Sequence, residues 1–208
     1  MQEALGQNHL TGAEKPFSES CERNKRPILE RLRETFNLPA RILEIGSGTG
    51  QHAVHFGEAL PHLIWQTSDL PANHCAIRSW LEEAALPNVL SPIVLDVNGP
   101  WPHQEFDGVF TANTLHIVSW DAGQRLIAGA ARLLKTGGRL VIYGPFNYNG
   151  DFTSDSNARF DEWLKGRDPV SGIRDIEAVT KWAEINNLRI QSDHAMPANN
   201  RLLVFVKI

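Results

Sequence analysis

Two cysteines, Cys21 and Cys75, are too few for a disulfide framework or a four-cysteine zinc site. Long hydrophobic runs are missing too. Leu202 to Val206 is a strong one at five residues, whereas a membrane-spanning helix needs about 20, so no membrane partner is expected. Positive charge is not in excess: 20 basic against 24 acidic side chains leave a formal charge of −4. Without a basic field to hold a phosphate backbone, nucleic acid is not an expected partner, a local basic patch aside. The start, Met1 to His9, has neither a basic n-region nor an apolar h-region, so a signal peptide is not expected. Together these absences point to a soluble, cytoplasmic protein. There is no internal repeat and no low-complexity tract. Hydrophobic residues at 42% and charged residues at 21% lie near the globular norm. A chain of 208 residues can bury one sizeable core, so residues 1–208 read as a single domain.

Within that domain the hydrophobic period alternates. The first twenty residues mix Gly, Asn, Thr, Lys and Pro and read as an irregular arm, taken to residue 24. Ile28, Leu29, Leu32 and Phe36 then recur at helical spacing. Residues 41–45 form a short buried strand; a helix over Ala53, Phe56, Gly57 and Leu60 follows and stops at Pro61. A second strand covers 63–68, and a helix over Ile77, Trp80, Leu81 and Ala84 closes at Pro87. The third strand lies within 89–95, starting after Pro92 or holding that proline at its edge. The fourth covers 106–112. The helix after it stops at Gly137-Gly138, and the fifth strand runs over 139–144. Residues 157–165 and 176–186 read as helices, and 188–194 with 201–208 as an antiparallel hairpin. Strands alternating with helices imply crossover connections and a mainly parallel sheet covered on both faces, the α/β class. Ligands in such sheets sit beyond the strand carboxyl ends, where the strand order reverses.

The sharpest signal is there: Glu44-Ile45-Gly46-Ser47-Gly48-Thr49-Gly50, straight after a strand and before a helix. Glycines at alternate positions allow a tight turn and leave no Cβ between backbone and ligand. The pattern departs from the dinucleotide fingerprint G-x-G-x-x-G, because Gln51 stands where its third glycine belongs. The lysine-bearing phosphate loop is absent as well. Glu44, two residues ahead of the first glycine, would repel a pyrophosphate but not a ligand with a cationic centre. S-adenosylmethionine, with its sulfonium and ammonium, fits that description. Asp69 ends the second strand and suits two roles, accepting both ribose hydroxyls or capping the next helix beside Pro71. Asp96 follows the third strand. It either accepts the adenine amino group, with Val97 covering the ring, or closes the Asn98-Gly99-Pro100 turn.

These residues and the late hairpin resemble class I S-adenosylmethionine-dependent methyltransferases over roughly residues 40–208. Two further stretches, Ser20 to Ile28 and Tyr143 to Gly150, with the long segment Asp151 to Arg174, resemble the methyltransferase-like protein 26 family. The resemblance implies a Rossmann-like, seven-stranded, mostly parallel sheet with helices on both faces and the last strand antiparallel. It implies cofactor contacts at Glu44, Gly46, Asp69 and Asp96, and no particular substrate. The candidate cofactor set is completed by Arg23, Asn24, Ser47, Gly48, Gly50, Leu70, Val97 and Asn113.

Methyl transfer from a sulfonium is an in-line displacement that needs a positioned nucleophile and excluded water. A fixed catalytic dyad is not required. His116 leaves the fourth strand in Thr111 to Ile117 and suits a base at neutral pH, or a plain backbone hydrogen bond. The Pro-Pro-aromatic signature of amine methylation is missing from that loop. Tyr143 is a second catalytic candidate, or core. Phe146, Asn147, Tyr148 and Arg159 are candidate contacts for a small-molecule substrate, with 147–175 as an insertion or lid. Arg23 suits a two-pronged grip on a carboxylate, of cofactor or substrate, or a solvated charged face. His52 and His55 share a helix but lack an evident third metal ligand, so no metal is expected. Two other readings stay open, a non-catalytic cofactor-binding module and an NAD(P)-dependent oxidoreductase. The latter lacks the Tyr-x-x-x-Lys pair, since Asn147 follows Tyr143 at that spacing. Nothing in the sequence chooses between a monomer and a homodimer.

Overall fold

Nine strands and six helices carry residues 15–208, the part of the chain that the computed structural model describes. Five strands lie parallel: β1 (Ala40–Ile45), β2 (Leu63–Asp69), β3 (Val89–Val94), β4 (Phe106–Ala112) and β5 (Leu134–Gly144). Two short strands, β6 (Phe146–Asn147) and β7 (Arg174–Asp175), pair with each other outside the main sheet. The hairpin of β8 (Leu188–Met196) and β9 (Asn200–Lys207) completes a seven-stranded sheet in the order β3-β2-β1-β4-β5-β9-β8, with β9 antiparallel to β5. The order reverses between β1 and β4, so the ligand crevice of such a sheet opens beyond their carboxyl ends.

Helices α1 (Glu19–Thr35), α2 (Gln51–Ala59), α3 (His74–Ala84), α4 (Trp120–Leu133) and α6 (Ile176–Ile185) follow the apolar periods, and α5 (Asp155–Arg167) does so only weakly. Ile28, Leu32, Ala53 and Phe56 pack on one face of the sheet, against Ile42, Trp65, Phe110 and Val141. Leu126, Ile127, Ala130, Val179 and Ala183 pack on the other, against Leu43, Val109, Leu140 and Phe205. Among the described residues no helix is long and apolar enough to cross a membrane.

Several features differ from the sequence reading. Residues 19–24 are helix, because Ser18 caps α1 by accepting from Cys21 N. Of the expected arm, residues 1–14 lie outside the described residues. The strand β3 begins at Val89 and contains Pro92. It tolerates the missing N–H because it is an edge strand, and its register shifts opposite Gln66 to Ser68. Helix α4 ends at Leu133 without a glycine cap; Gly137 and Gly138 instead lie in β5, where its register against β4 slips. The insertion hides the small β6–β7 pair, two residues in each strand and too short to leave a period.

Candidate functional site

The loop after β1 builds the crevice floor. Gly46, Gly48 and Gly50 all have positive φ, at 74°, 58° and 91°, a region costly for a residue with a Cβ. A Cβ on Gly46 would come within 3.0 Å of Thr114 Oγ1, and one on Gly50 within 3.1 Å of Ile77 Cα. A Cβ on Gly48 would meet nothing within 4 Å, so that position faces open space.

The loop's amides are already committed. Gly46 and Ser47 N–H both donate to Ser68 O, at 3.1 and 3.0 Å, and Gly50 N–H donates to Ser47 O at 2.9 Å. Gly48 N–H donates to Asp69 Oδ2 at 2.7 Å. A phosphate-binding loop needs such amides free and convergent. Here they hold the loop to β2, and a carboxylate occupies one of them. A second carboxylate, Glu44, is 2% exposed at the end of β1. Its Oε2 accepts from Trp65 Nε1 at 3.1 Å. Burial pushes its pKa to about 7, against weaker pulls from the Trp65 indole and the Ser47 side chain, and Asp69 raises it further. The donor set thus suits a cationic, phosphate-free ligand.

Asp69 is more heavily engaged than expected. Oδ1 accepts from Leu70 N at 2.7 Å and Asn73 Nδ2 at 2.8 Å, in addition to Gly48 on Oδ2. A carboxylate offers about four lone-pair sites, so room for about one ribose hydroxyl remains, not two. It does not cap α3, whose N-cap is Asn73. Leu70 beside it is 47% exposed. Asp96 is exposed, and its Oδ1 accepts from Asn98 N at 2.9 Å in the expected turn. Val97 is partly buried against the core.

Beyond the loops after β4 and β5 lies a cavity of about 890 Å³. Arg23 and Asn24 of α1, Asn113 and His116 after β4, and Tyr143 at the end of β5 line it. Five of the sequence candidates therefore share one space. Among the described residues the imidazole of His116 makes no hydrogen bond, and burial, then the charge of Arg174, pushes its pKa down to about 4. It is neutral at pH 7. Its backbone is held instead: His116 O accepts from Gly172 N at 2.9 Å, and Arg174 Nε donates to Leu115 O at 3.2 Å. Burial pushes the Tyr143 hydroxyl to about 12, with the Asn24 side chain pulling weakly the other way. Asn24 is itself fixed, its Oδ1 lying 2.6 Å from Nε2 of His52. That imidazole, held neutral by burial with a pKa near 3, donates.

The expected substrate contacts are not there. After Pro145 the chain turns to pair β6 with β7, which carries Phe146 into the core under α4 and α6. Asn147 is buried beside it, and its Oδ1 has no partner among the described residues. Tyr148 donates to Asp193 Oδ2 at 2.6 Å on the hairpin, away from the cavity. Arg159 is exposed on another face of α5. In their place stand Ser156, Phe160, Trp163 and Arg167, one helical face of α5, with Ile117 and the hairpin turn at Pro197, Ala198 and Asn200. The signal for that face was an aromatic pair at i, i+3 with an arginine four residues on, in a helix with little amphipathic pattern. A smaller cavity, about 270 Å³, lies at the opposite end of the strands around residues 35–40 and 135–139.

A seven-stranded sheet in this order, with the antiparallel strand next to last and a glycine turn after β1, is the fold of S-adenosylmethionine-dependent methyltransferases. Solved structures share that fold. An O-methyltransferase family protein from Burkholderia thailandensis superposes with a TM-score of 0.79 at 18% identity, over 88% of this chain and 56% of that one. The S-adenosylmethionine-dependent methyltransferase SibL, in its apo form, gives 0.77 at 21%, over 90% and 55%. An O-methyltransferase family 2 protein from Planctomyces limnophilus DSM 3776, in complex with apigenin, gives 0.71 at 19%, over 88% and 62%. The chain therefore spans a little over half the length of these proteins. Across residues 15–207 it belongs to the family described as Protein of unknown function DUF938.

Proposed function

We propose that this protein transfers a methyl group from S-adenosylmethionine to a small-molecule acceptor, and that within its family it stands with the methyltransferase-like protein 26 group. The committed loop amides carry the reading: with Gly46, Ser47, Gly48 and Gly50 bonded inward and Glu44 and Asp69 behind them, a diphosphate finds repulsion and few donors. That counts against the nicotinamide alternative. The named activities of the neighbouring structures, methyltransferases among them, support the same class.

In this reading Glu44, the glycine loop, Asp69, Leu70, Asp96, Val97 and Asn113 hold the nucleoside and its cationic chain. Arg23 and Asn24 face the amino-acid end, Arg23 by a two-pronged contact to the carboxylate. When bound, the cofactor would supply an electrophilic methyl group on a sulfonium, with its thioether as the leaving group. His116 receives the acceptor's proton. Neutral at pH 7, it is ready to accept as the acceptor's acidity rises in the transition state. Tyr143 stays protonated and donates a hydrogen bond to orient the acceptor. Phe160, Trp163 and Ile117 exclude water. Asn157 Nδ2 donates to Asn199 O at 3.1 Å, and Asn199 Nδ2 to Ser156 Oγ at 3.2 Å, so α5 is latched to the hairpin turn as a lid.

The test is turnover. Fractions of a small-molecule extract are incubated with the protein and methyl-labelled cofactor. S-adenosylhomocysteine should appear together with one labelled product. Cofactor binding without turnover in any fraction would mark a binding module instead.

A further inference from the structure

The lining of the large cavity has a charge pattern of its own. Its charged side chains, Arg23 and Arg167, are both cationic, and among the described residues no Asp or Glu lines it. Neither arginine takes part in an ion pair among those residues. The Arg167 guanidinium lies 4.7 Å over the Trp163 ring. Trp163 stacks on Phe160 at 5.7 Å and 17°, and Phe160 meets His116 edge-on at 5.5 Å. A continuous wall thus leads from an imidazole, across two stacked and nearly parallel aromatic rings, to an arginine.

Each part selects a chemical feature. Aromatic faces in offset stacks favour a planar ring. A guanidinium placed over an indole keeps N–H donors for a carboxylate's two oxygens. Unpaired positive charge at the mouth of a cavity draws anions and disfavours amines. We propose that the acceptor is a planar aromatic acid. Its ring lies against Phe160 and Trp163, its carboxylate pairs with Arg167, and the atom to be methylated faces His116. Arg167 is the specificity-determining residue. This rests on the reading above only in assigning the cavity to the acceptor.

The probe is 1-hydroxy-2-naphthoate, followed by its fluorescence, with its methyl ester as the neutral counterpart. Both are titrated into the full chain without cofactor and again with S-adenosylhomocysteine. The acid is expected to bind at least about tenfold tighter than the ester. Arg167→Met should remove that preference and change ester binding less than about twofold. Trp163→Leu should weaken both ligands alike. Arg167 is exposed, so the unfolding midpoint of its variant should match wild type. Equal binding of acid and ester, binding of neither, or loss of the preference in Arg23→Met but not Arg167→Met would each overturn the proposal. The cofactor-free titration does not depend on methyl transfer. A preference there with no cofactor affinity keeps this inference and discards the enzyme reading; cofactor turnover without the preference does the reverse.

Discussion

Replacing Glu44 by Gln separates folding from binding at the crevice floor. In the folded chain this carboxyl is 2% exposed and titrates near pH 7, against an ordinary 4.5. A pKa raised on folding means the folded state holds the proton more tightly. The burden of an ionised Glu44 is therefore absent below about pH 4.5 and complete above about pH 7, where it amounts to about 3 kcal/mol. Glu44→Gln should stabilise the ligand-free protein at pH 8 by up to about that amount, and not at pH 4.5. Binding should move the other way. A cation over the loop favours the ionised form, so wild-type affinity for S-adenosylmethionine should fall roughly tenfold from pH 8 to pH 6, as the carboxylate takes up its proton. The variant should bind weakly and lose that dependence. Urea unfolding at both pH values reads the first effect and titration calorimetry the second. If Glu44→Gln leaves stability at pH 8, affinity and its pH slope all unchanged, the buried carboxylate has no part in holding a cation.

Other outcomes follow from the same geometry. Gly48→Ala introduces a methyl that meets nothing within 4 Å; it should cost about 1 kcal/mol of backbone strain in urea unfolding yet weaken S-adenosylhomocysteine by calorimetry far more. His52 and His116 titrate near pH 3 and 4 when folded, against 6.5, so their stabilisation is full above pH 6.5 and lost as pH falls. Each such imidazole takes up a proton on unfolding over that range. In His116→Gln the fall in stability between pH 6.5 and 4.5, measured by urea unfolding, should be shallower by about 1.4 kcal/mol per pH unit. The same substitution should lower kcat by at least about 100-fold with little change in cofactor affinity, measured by single-turnover kinetics.

The crevice was legible in the sequence because its chemistry is local. Glu44 to Gly50 lies on one strand-to-helix turn, and Asp69 ends the neighbouring strand, so strand ends alone brought them together. His116, Asn113, Tyr143, Arg23 and Asn24 also reached a shared cavity, three from strand ends and two from α1. The α5 wall of the cavity was not legible, for two physical reasons. Phe146, Asn147 and Tyr148 directly follow a strand end, but the β6–β7 pairing swings them into the core and toward the hairpin, a contact 28 residues apart in the chain. The α5 face that replaces them is not a core-packing stripe. Asn157, Asp161 and Leu164 are the buried residues of that helix, and two of the three are polar, so the apolar period that betrays an ordinary helix is weak.

Calorimetric titration with S-adenosylhomocysteine and, in parallel, with NAD tests the central claim most directly. The account predicts one saturable site for the thioether nucleoside, weakened at least about tenfold by Asp69→Ala, and no heat from the dinucleotide. Binding of NAD, or of neither ligand, would contradict it.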